Sequence, residues 1–340
     1  MKVAVVGAGV IGVTTAVMIK RTFPHLSVTI FGEVFTPNTT GDGSAGLWGP
    51  YILGDTPSED VLRWAGGTHR WLEELWRSGL APEAGICLVP VYRVTSDSKG
   101  YPKPIWSSLV YGCHELSPEL LKKINIEQKS NYSGGWHFLT YTVEPTLLLP
   151  WLLKEFKTRG GIVIKRKIKS FEEFKMEGYD IIINCSGLGA RILAQDTEVH
   201  PIRGQVCRVD ASWQFEVHLS DDDNGNYIIP NMNSVVLGGT HQAGDYNLQV
   251  SQEDSNFILK GCYRMSPALQ KSRILKEWVG LRPGRMQVCL KLEILRSKNG
   301  ENYLVIHNYG HGGSGVTLSW GCAQDVVKIL KKKIFAKSKL

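Results

Sequence analysis

The chain opens on a strand-length apolar run, Lys2–Val6, which breaks at glycine and resumes as an apolar stretch of helical length, about Val10–Arg21. A second short run rich in β-branched residues, Ser27–Phe31, ends at Gly32-Glu33. Short apolar runs bounded by turn residues predict buried strands, and longer periodic ones predict helices. The strand signal returns at Gly161–Ile168, Tyr179–Asn184 and Leu304–Tyr309. The last of these enters a glycine-rich loop and then a predicted helix over about Val316–Phe335, where Val326, Val327, Ile329, Leu330 and Ile334 keep a partly helical spacing. Strand–helix units at the start, middle and end predict one discontinuous domain made of residues 1–51, 151–200 and 286–335. The segments between, 52–150 and 201–285, carry more aromatics, turns and alternating apolar positions. They predict a second domain on a mainly antiparallel sheet. The expected fold class is α/β plus α+β.

The first turn reads Gly7-Ala8-Gly9-Val10-Ile11-Gly12, a GxGxxG between strand and helix. Gly7 permits the tight turn, Gly9 lets backbone approach a pyrophosphate, and Gly12 lets helix and strand pack closely. The helix N-terminus then faces the phosphates. Glu33 stands 21 residues past Gly12, where an acid accepts from a ribose 2′-hydroxyl. The unit is therefore expected to be a Rossmann-like dinucleotide-binding domain. An acid at position 33 with no arginine beside it favours FAD or NAD over NADP. The late loop Gly310–Thr317 brings a second helix N-terminus into the same domain. A flavin gains from a positive dipole end near its pyrimidine edge, which becomes anionic on reduction. FAD is the expected cofactor, and an NAD-dependent dehydrogenase is the alternative.

Composition changes this picture little. Of 340 residues, 43% are hydrophobic and 21% charged, close to ordinary globular chains. No uncharged run approaches the roughly 20 apolar residues of a membrane span, so membrane insertion is not expected. The net charge of +7 is concentrated in the tail, where Lys328–Leu340 holds six lysines and no acid. The rest is nearly neutral and offers no basic field for nucleic acid. Seven scattered cysteines form no CxxC pair, so no zinc or redox motif is expected and no metal is assigned.

Several stretches together resemble the D-amino-acid oxidase / D-aspartate oxidase family. They are Val3–Gly12, Phe35-Thr36-Pro37 with Thr39-Thr40, Ala45-Gly46-Leu47-Trp48, Asp180–Gly187, Arg203-Gly204-Gln205, Tyr227-Ile228-Ile229-Pro230, Leu237-Gly238-Gly239-Thr240, Gly280-Leu281-Arg282-Pro283 and His307–Thr317. The resemblance implies a Rossmann-like FAD-binding domain and a substrate domain with a large antiparallel sheet. It implies that Ala8, Val10 and Ile11 with the glycine turn hold the FAD diphosphate and that Glu33 takes the adenosine ribose. Thr39, Thr40, Gly46 and Leu47 line the flavin, Ile168 contributes backbone at the adenine side, and Gly312, Gly313, Gly315 and Thr317 meet the isoalloxazine. Arg282 grips a substrate α-carboxylate, which Tyr227 shares. The implied activity converts a D-amino acid and O2 to a 2-oxo acid, ammonia and H2O2. A planar guanidinium fork suits that role, because a bidentate pair fixes orientation as well as charge. The ending Ser338-Lys339-Leu340 is the address read by the peroxisomal import receptor, which implies the peroxisome matrix as destination.

Substrate preference is read from departures within the family pattern. The stretch Trp213–Tyr227 is short, as in the D-aspartate oxidase branch, and Asp223 stands where neutral-substrate members carry a second tyrosine. Both arginines of the D-aspartate branch are missing: Leu219, flanked by His218, and His241 stand in their places. A buried unpaired carboxylate is costly, so an acidic substrate needs a cation. His241, with His218, is the expected receiver of a distal carboxylate. Ser314 replaces a bulkier residue and, beside Gly313 and Gly49, suggests a roomier pocket. The expectation is D-aspartate or D-glutamate, with neutral D-amino acids as the alternative.

Overall fold

The computed structural model describes residues 1–221, 225–297 and 299–337. Asp223 and the tripeptide Ser338-Lys339-Leu340 lie outside the described residues. Strands follow in chain order as β1 (Lys2–Val6), β2 (Ser27–Gly32), β3 (Ile86–Thr95), β4 (Tyr111–Glu115) and β5 (Gly134–Val143). Next come β6 (Ile162–Lys165), β7 (Ile181–Asn184), β8 (His200–Asp210), β9 (Val217–Ser220) and β10 (Tyr227–Pro230). The last are β11 (Val235–Gly238), β12 (Gln242–Ala243), β13 (Arg273–Gly284), β14 (Cys289–Arg296) and β15 (Asn302–Tyr309).

They form two sheets. The first runs β14-β15-β7-β1-β2-β6, parallel except for the β14–β15 pair. Val3–Val6 and Ile181–Asn184 are buried throughout, as expected for central parallel strands covered on both faces. The second runs β12-β8-β11-β10-β9-β3-β5-β4, with β13 also paired to β8. Its pairs are antiparallel except β3–β9. Every strand of the first sheet comes from residues 1–51, 151–200 or 286–335, and the second sheet draws on 52–150 and 200–285.

Helix α1 (Val10–Thr22) packs against the last helix (Gly315–Lys337), and α2 (Ser58–Arg77) packs on that helix as well. The alternation expected over 52–150 gives no hint of α2. Its large apolar buried residues Val61, Trp64, Trp71, Leu72 and Leu75 recur at helical spacing. Trp71 stacks parallel on Trp320 with centroids 4.2 Å apart, and the Arg21 guanidinium lies 4.9 Å from the Trp320 ring. This contact fastens the second segment onto the helices of the first sheet. No helix among the described residues is long and apolar enough to cross a membrane.

Candidate active site

The two sheets share one cavity of about 940 Å³. Its first wall is mostly backbone. Gly7 follows β1 at φ +114°, a conformation that L side chains rarely adopt, and its N–H donates to Phe31 O at 2.7 Å. A Cβ on Gly12 would strike the Gly7 carbonyl, so glycine there sets how closely α1 meets the turn. Gly12 itself does not line the cavity. At Gly9 a Cβ would meet nothing within 4 Å, so space lies open in front of the α1 N-terminus. That end has no side-chain cap and no acid in its first turn, which leaves N–H groups and the positive dipole end for an anion.

The last helix brings a second N-terminus to the cavity, again with no acid in its first turn. Gly312 N–H donates to Pro283 O at 2.9 Å and ties this loop to β13. Cβ atoms on Gly312 and Gly313 would strike Ile52 and Tyr51. The Thr317 hydroxyl holds the Gly49 backbone, donating to its O at 3.1 Å. His311 is 2% exposed, its Nε2 has no hydrogen-bond partner, and burial pushes the ring down to about 3, so it is neutral. These features fit a dinucleotide with a flavin: two helix N-termini without an acid in the first turn, an open glycine turn and a buried nitrogen without a partner face one cavity.

Ala8, Val10, Ile11, Thr39, Thr40, Gly46, Leu47, Ile168 and Gly315 also line this cavity. Glu33 lies at its edge, where its carboxylate accepts from Lys167 Nζ at 3.0 Å. Arg166 lines the same region and pairs with Glu177 at 2.8 Å. The fold brings Arg166 into this region from 133 residues away, through the β2–β6 pairing, while the expectation drawn from Glu33, FAD or NAD over NADP, agrees with the FAD assignment below.

The second wall is one face of the second sheet. Arg282 sits on β13, half-buried, and its NH1 donates to Thr240 O at 3.0 Å and Arg203 O at 3.4 Å. Among the described residues no carboxylate pairs with it. Glycines make its bed: a Cβ on Gly204 would strike the Arg282 guanidinium, and Cβ atoms on Gly238 and Gly239 would strike Tyr227. Burial raises the Tyr227 phenol above its ordinary range, and the hydrogen-bonded Arg282 opposes this. His241 reaches the cavity as an exposed residue.

Two expectations are corrected. His218 pairs in register with Tyr92 and Ile228, and its neighbour Leu219 lines the cavity. Successive strand residues face opposite sides, so His218 points away. It stacks near Tyr92 at 5.8 Å and lies 3.7 Å from Glu216. Ser314 does not line the cavity either: its fully buried hydroxyl donates to Tyr51 O and accepts from Tyr51 N, both at 2.7 Å. It clamps the Tyr51 loop instead of enlarging the pocket.

Sequence reading missed two cavity residues, Tyr51 and Arg93. Burial raises the Tyr51 phenol, with Arg282, Tyr227, Asp221 and Arg93 all acting on it. Arg93 is a lone arginine in the otherwise mostly apolar run Ile86–Thr95, and the two-residue period of a strand is the signal that could have placed it on the face shared with Val91 and Val89.

Two helix N-termini and a guanidinium without a carboxylate partner among the described residues, all on a common cavity, define a dinucleotide-binding oxidoreductase site. The comparisons narrow the class. The DAO family, described as FAD dependent oxidoreductase, matches residues 2–329. A D-aspartate oxidase of Homo sapiens is 38% identical over 98% of this chain and 96% of its own, and a D-amino acid oxidase of Dugesia ryukyuensis is 36% identical over the whole of both. The structure of glycine oxidase from Geobacillus kaustophilus superposes with a TM-score of 0.78 over 97% of this chain and 94% of its own, at 16% identity. The chain belongs to the DAO family of FAD-dependent oxidoreductases, and NAD is set aside as the cofactor.

Proposed function

We propose that the protein oxidatively deaminates D-amino acids, with acidic side chains favoured. The observation that carries this is the Arg282 guanidinium, turned to the cavity without a carboxylate partner among the described residues and flanked by Tyr227. When bound, FAD supplies the hydride acceptor and passes the electrons to O2 as H2O2. The α1 N-terminus with Gly7–Ile11 would hold its diphosphate, and the Gly312–Thr317 helix end would face its flavin. Arg282 holds the substrate α-carboxylate, its NH1 fixed by the Thr240 and Arg203 carbonyls. Tyr227 shares that carboxylate. The amine proton leaves to water, and the imino acid hydrolyses to a 2-oxo acid and ammonia. With the carboxylate pinned, one enantiomer alone turns its Cα–H toward the acceptor.

His241 on the cavity wall supports an acidic preference. Leu219 and Ile229 give the same wall an apolar stretch, which favours neutral D-amino acids as the second reading. Oxygen uptake with added FAD across D- and L-amino acids tests the proposal. D-aspartate is expected to exceed D-alanine in kcat/KM and L-enantiomers to be inert; equal use of both hands overturns it.

The reading divides the chain into a FAD-binding unit (1–51, 151–200, 286–335) and a substrate unit (52–150, 201–285), supported by the separate sheets. It extends to the peroxisome matrix through Ser338-Lys339-Leu340 and the import receptor. A fluorescent fusion ending in this tripeptide should be punctate, and removal of the tripeptide should disperse it.

A further inference from the structure

The sheet face that carries Tyr227 carries a second guanidinium two strands away. Arg93 on β3 is the register partner of Leu219 on β9, and Leu219 is the partner of Tyr227 on β10. Register partners project to the same face, and all three line the cavity. Adjacent strands lie about 4.8 Å apart, so the Arg93 and Tyr227 backbones are separated by roughly 10 Å. An inward arginine side chain bridges much of that gap.

Arg93 is held firmly. Its Nε donates to Asp221 Oδ2 at 2.6 Å, and its NH2 lies 2.5 Å from the same oxygen. Its Cζ lies 5.4 Å from the Tyr101 ring centroid and 5.5 Å from that of Trp106. The side chain is 16% exposed and that of Asp221 25%. The Asp221 N–H donates to Val94 O at 2.9 Å, so carboxylate and guanidinium are fixed to the same strand.

We propose that Arg93 is the specificity-determining residue for the substrate side chain, receiving the distal carboxylate of a four- or five-carbon acidic D-amino acid. This rests on Arg282 holding the α-carboxylate. Among the described residues, the contacts of the Arg93 guanidinium with a carboxylate fall on one oxygen of Asp221, which leaves N–H donors for a second anion. Asp221 is a positioning residue. It neutralises the guanidinium while no acidic substrate is present and draws off part of its charge when one arrives.

The test uses the FAD-loaded enzyme. It measures kcat/KM for D-aspartate, D-alanine and D-arginine, and Kd for succinate and butyrate from the flavin absorbance change. Arg93→Gln is expected to lower kcat/KM for D-aspartate by about 10- to 100-fold, the worth of a charged hydrogen bond. It should leave D-alanine within about twofold and weaken succinate but not butyrate. Arg93→Lys, which keeps the charge and loses the fork, should retain part of the preference. Asp221→Asn should tighten succinate. An Arg93→Gln enzyme that loses both substrates alike, or neither, while the wild type prefers D-aspartate, overturns the role of Arg93 and leaves the proposed function standing. A His241→Ala enzyme that loses D-aspartate selectively assigns the role to His241, and a wild type that prefers D-arginine assigns it to Asp221; either overturns the proposal. A FAD-loaded wild type that oxidises no D-amino acid removes the underlying reading instead.

Discussion

The two walls of the cavity are built by different means. On the first sheet the wall is backbone: glycine turns and two helix ends, each encoded within about a dozen consecutive residues. On the second sheet the wall is a row of side chains, Arg93, Leu219, Tyr227 and Arg282, brought together by pairing of distant strands. A backbone wall recognises what is common to dinucleotides, phosphate charge above all. A side-chain wall recognises one substrate and can change residue by residue without disturbing the fold. The comparison predicts that first-wall substitutions act on FAD and second-wall substitutions act on substrate.

The largest separation should come from Arg282→Ala. Removing one partner of a desolvated ion pair costs about 3–5 kcal/mol, so kcat/KM should fall by roughly 10³-fold while FAD affinity stays within about twofold. Retention of a tenth of the activity would place the anchor elsewhere. Gly12→Val, behind the first wall, should do the reverse. Its Cβ strikes the Gly7 carbonyl, so flavin-fluorescence titration should show FAD affinity lower by about 100-fold, with about 1–3 kcal/mol of stability lost to overpacking. Normal FAD binding in that variant would break the assignment of the wall. Gly204→Ala intrudes on the Arg282 guanidinium and should raise KM by about tenfold without releasing FAD.

Protons offer a comparison in stability. Burial lowers His311 to about 3 and His69, packed against Trp48 and Tyr141, to about 4. Unfolding restores both to about 6.5, so between that pH and about 4 the unfolded state holds more protons and stability falls as pH falls. Each ring should contribute up to about 1.4 kcal/mol per pH unit, present in full above pH 6.5. Urea unfolding at a series of pH values checks this, and a flat profile would mean that the rings are not buried neutral. The smallest effect belongs to His218→Ala. Facing away from the cavity, it should leave kcat/KM for D-aspartate within about twofold.

How much was legible in the sequence follows the same division. Gly7–Gly12, the β1 run and the last helix could be read directly, because turn, strand and helix are local and their residues adjacent. Arg282 and Tyr227 could be read only through flanking residues that resemble a family, since nothing in Gly280–Pro283 or Tyr227–Pro230 alone specifies a carboxylate clamp. His218 was assigned by proximity to Leu219, yet the two-residue period of a strand puts neighbours on opposite faces. Arg166 was invisible beside Glu33 because a parallel pairing, not the chain, brings it there. Helix α2 was missed because aromatic content was read as strand, although its apolar positions recur at helical spacing.

The sequence by itself determined the dinucleotide turn, the strands that carry it and the family, because these depend on contiguous residues and local backbone geometry. Only the tertiary structure decided that Arg93 and Tyr51 share the cavity with Arg282, that Ser314 clamps a loop, and that His218 lies outside. Those facts depend on strand register and on which face each strand turns inward. Register is fixed by burial of whole sheets, and no single segment of the chain contains it.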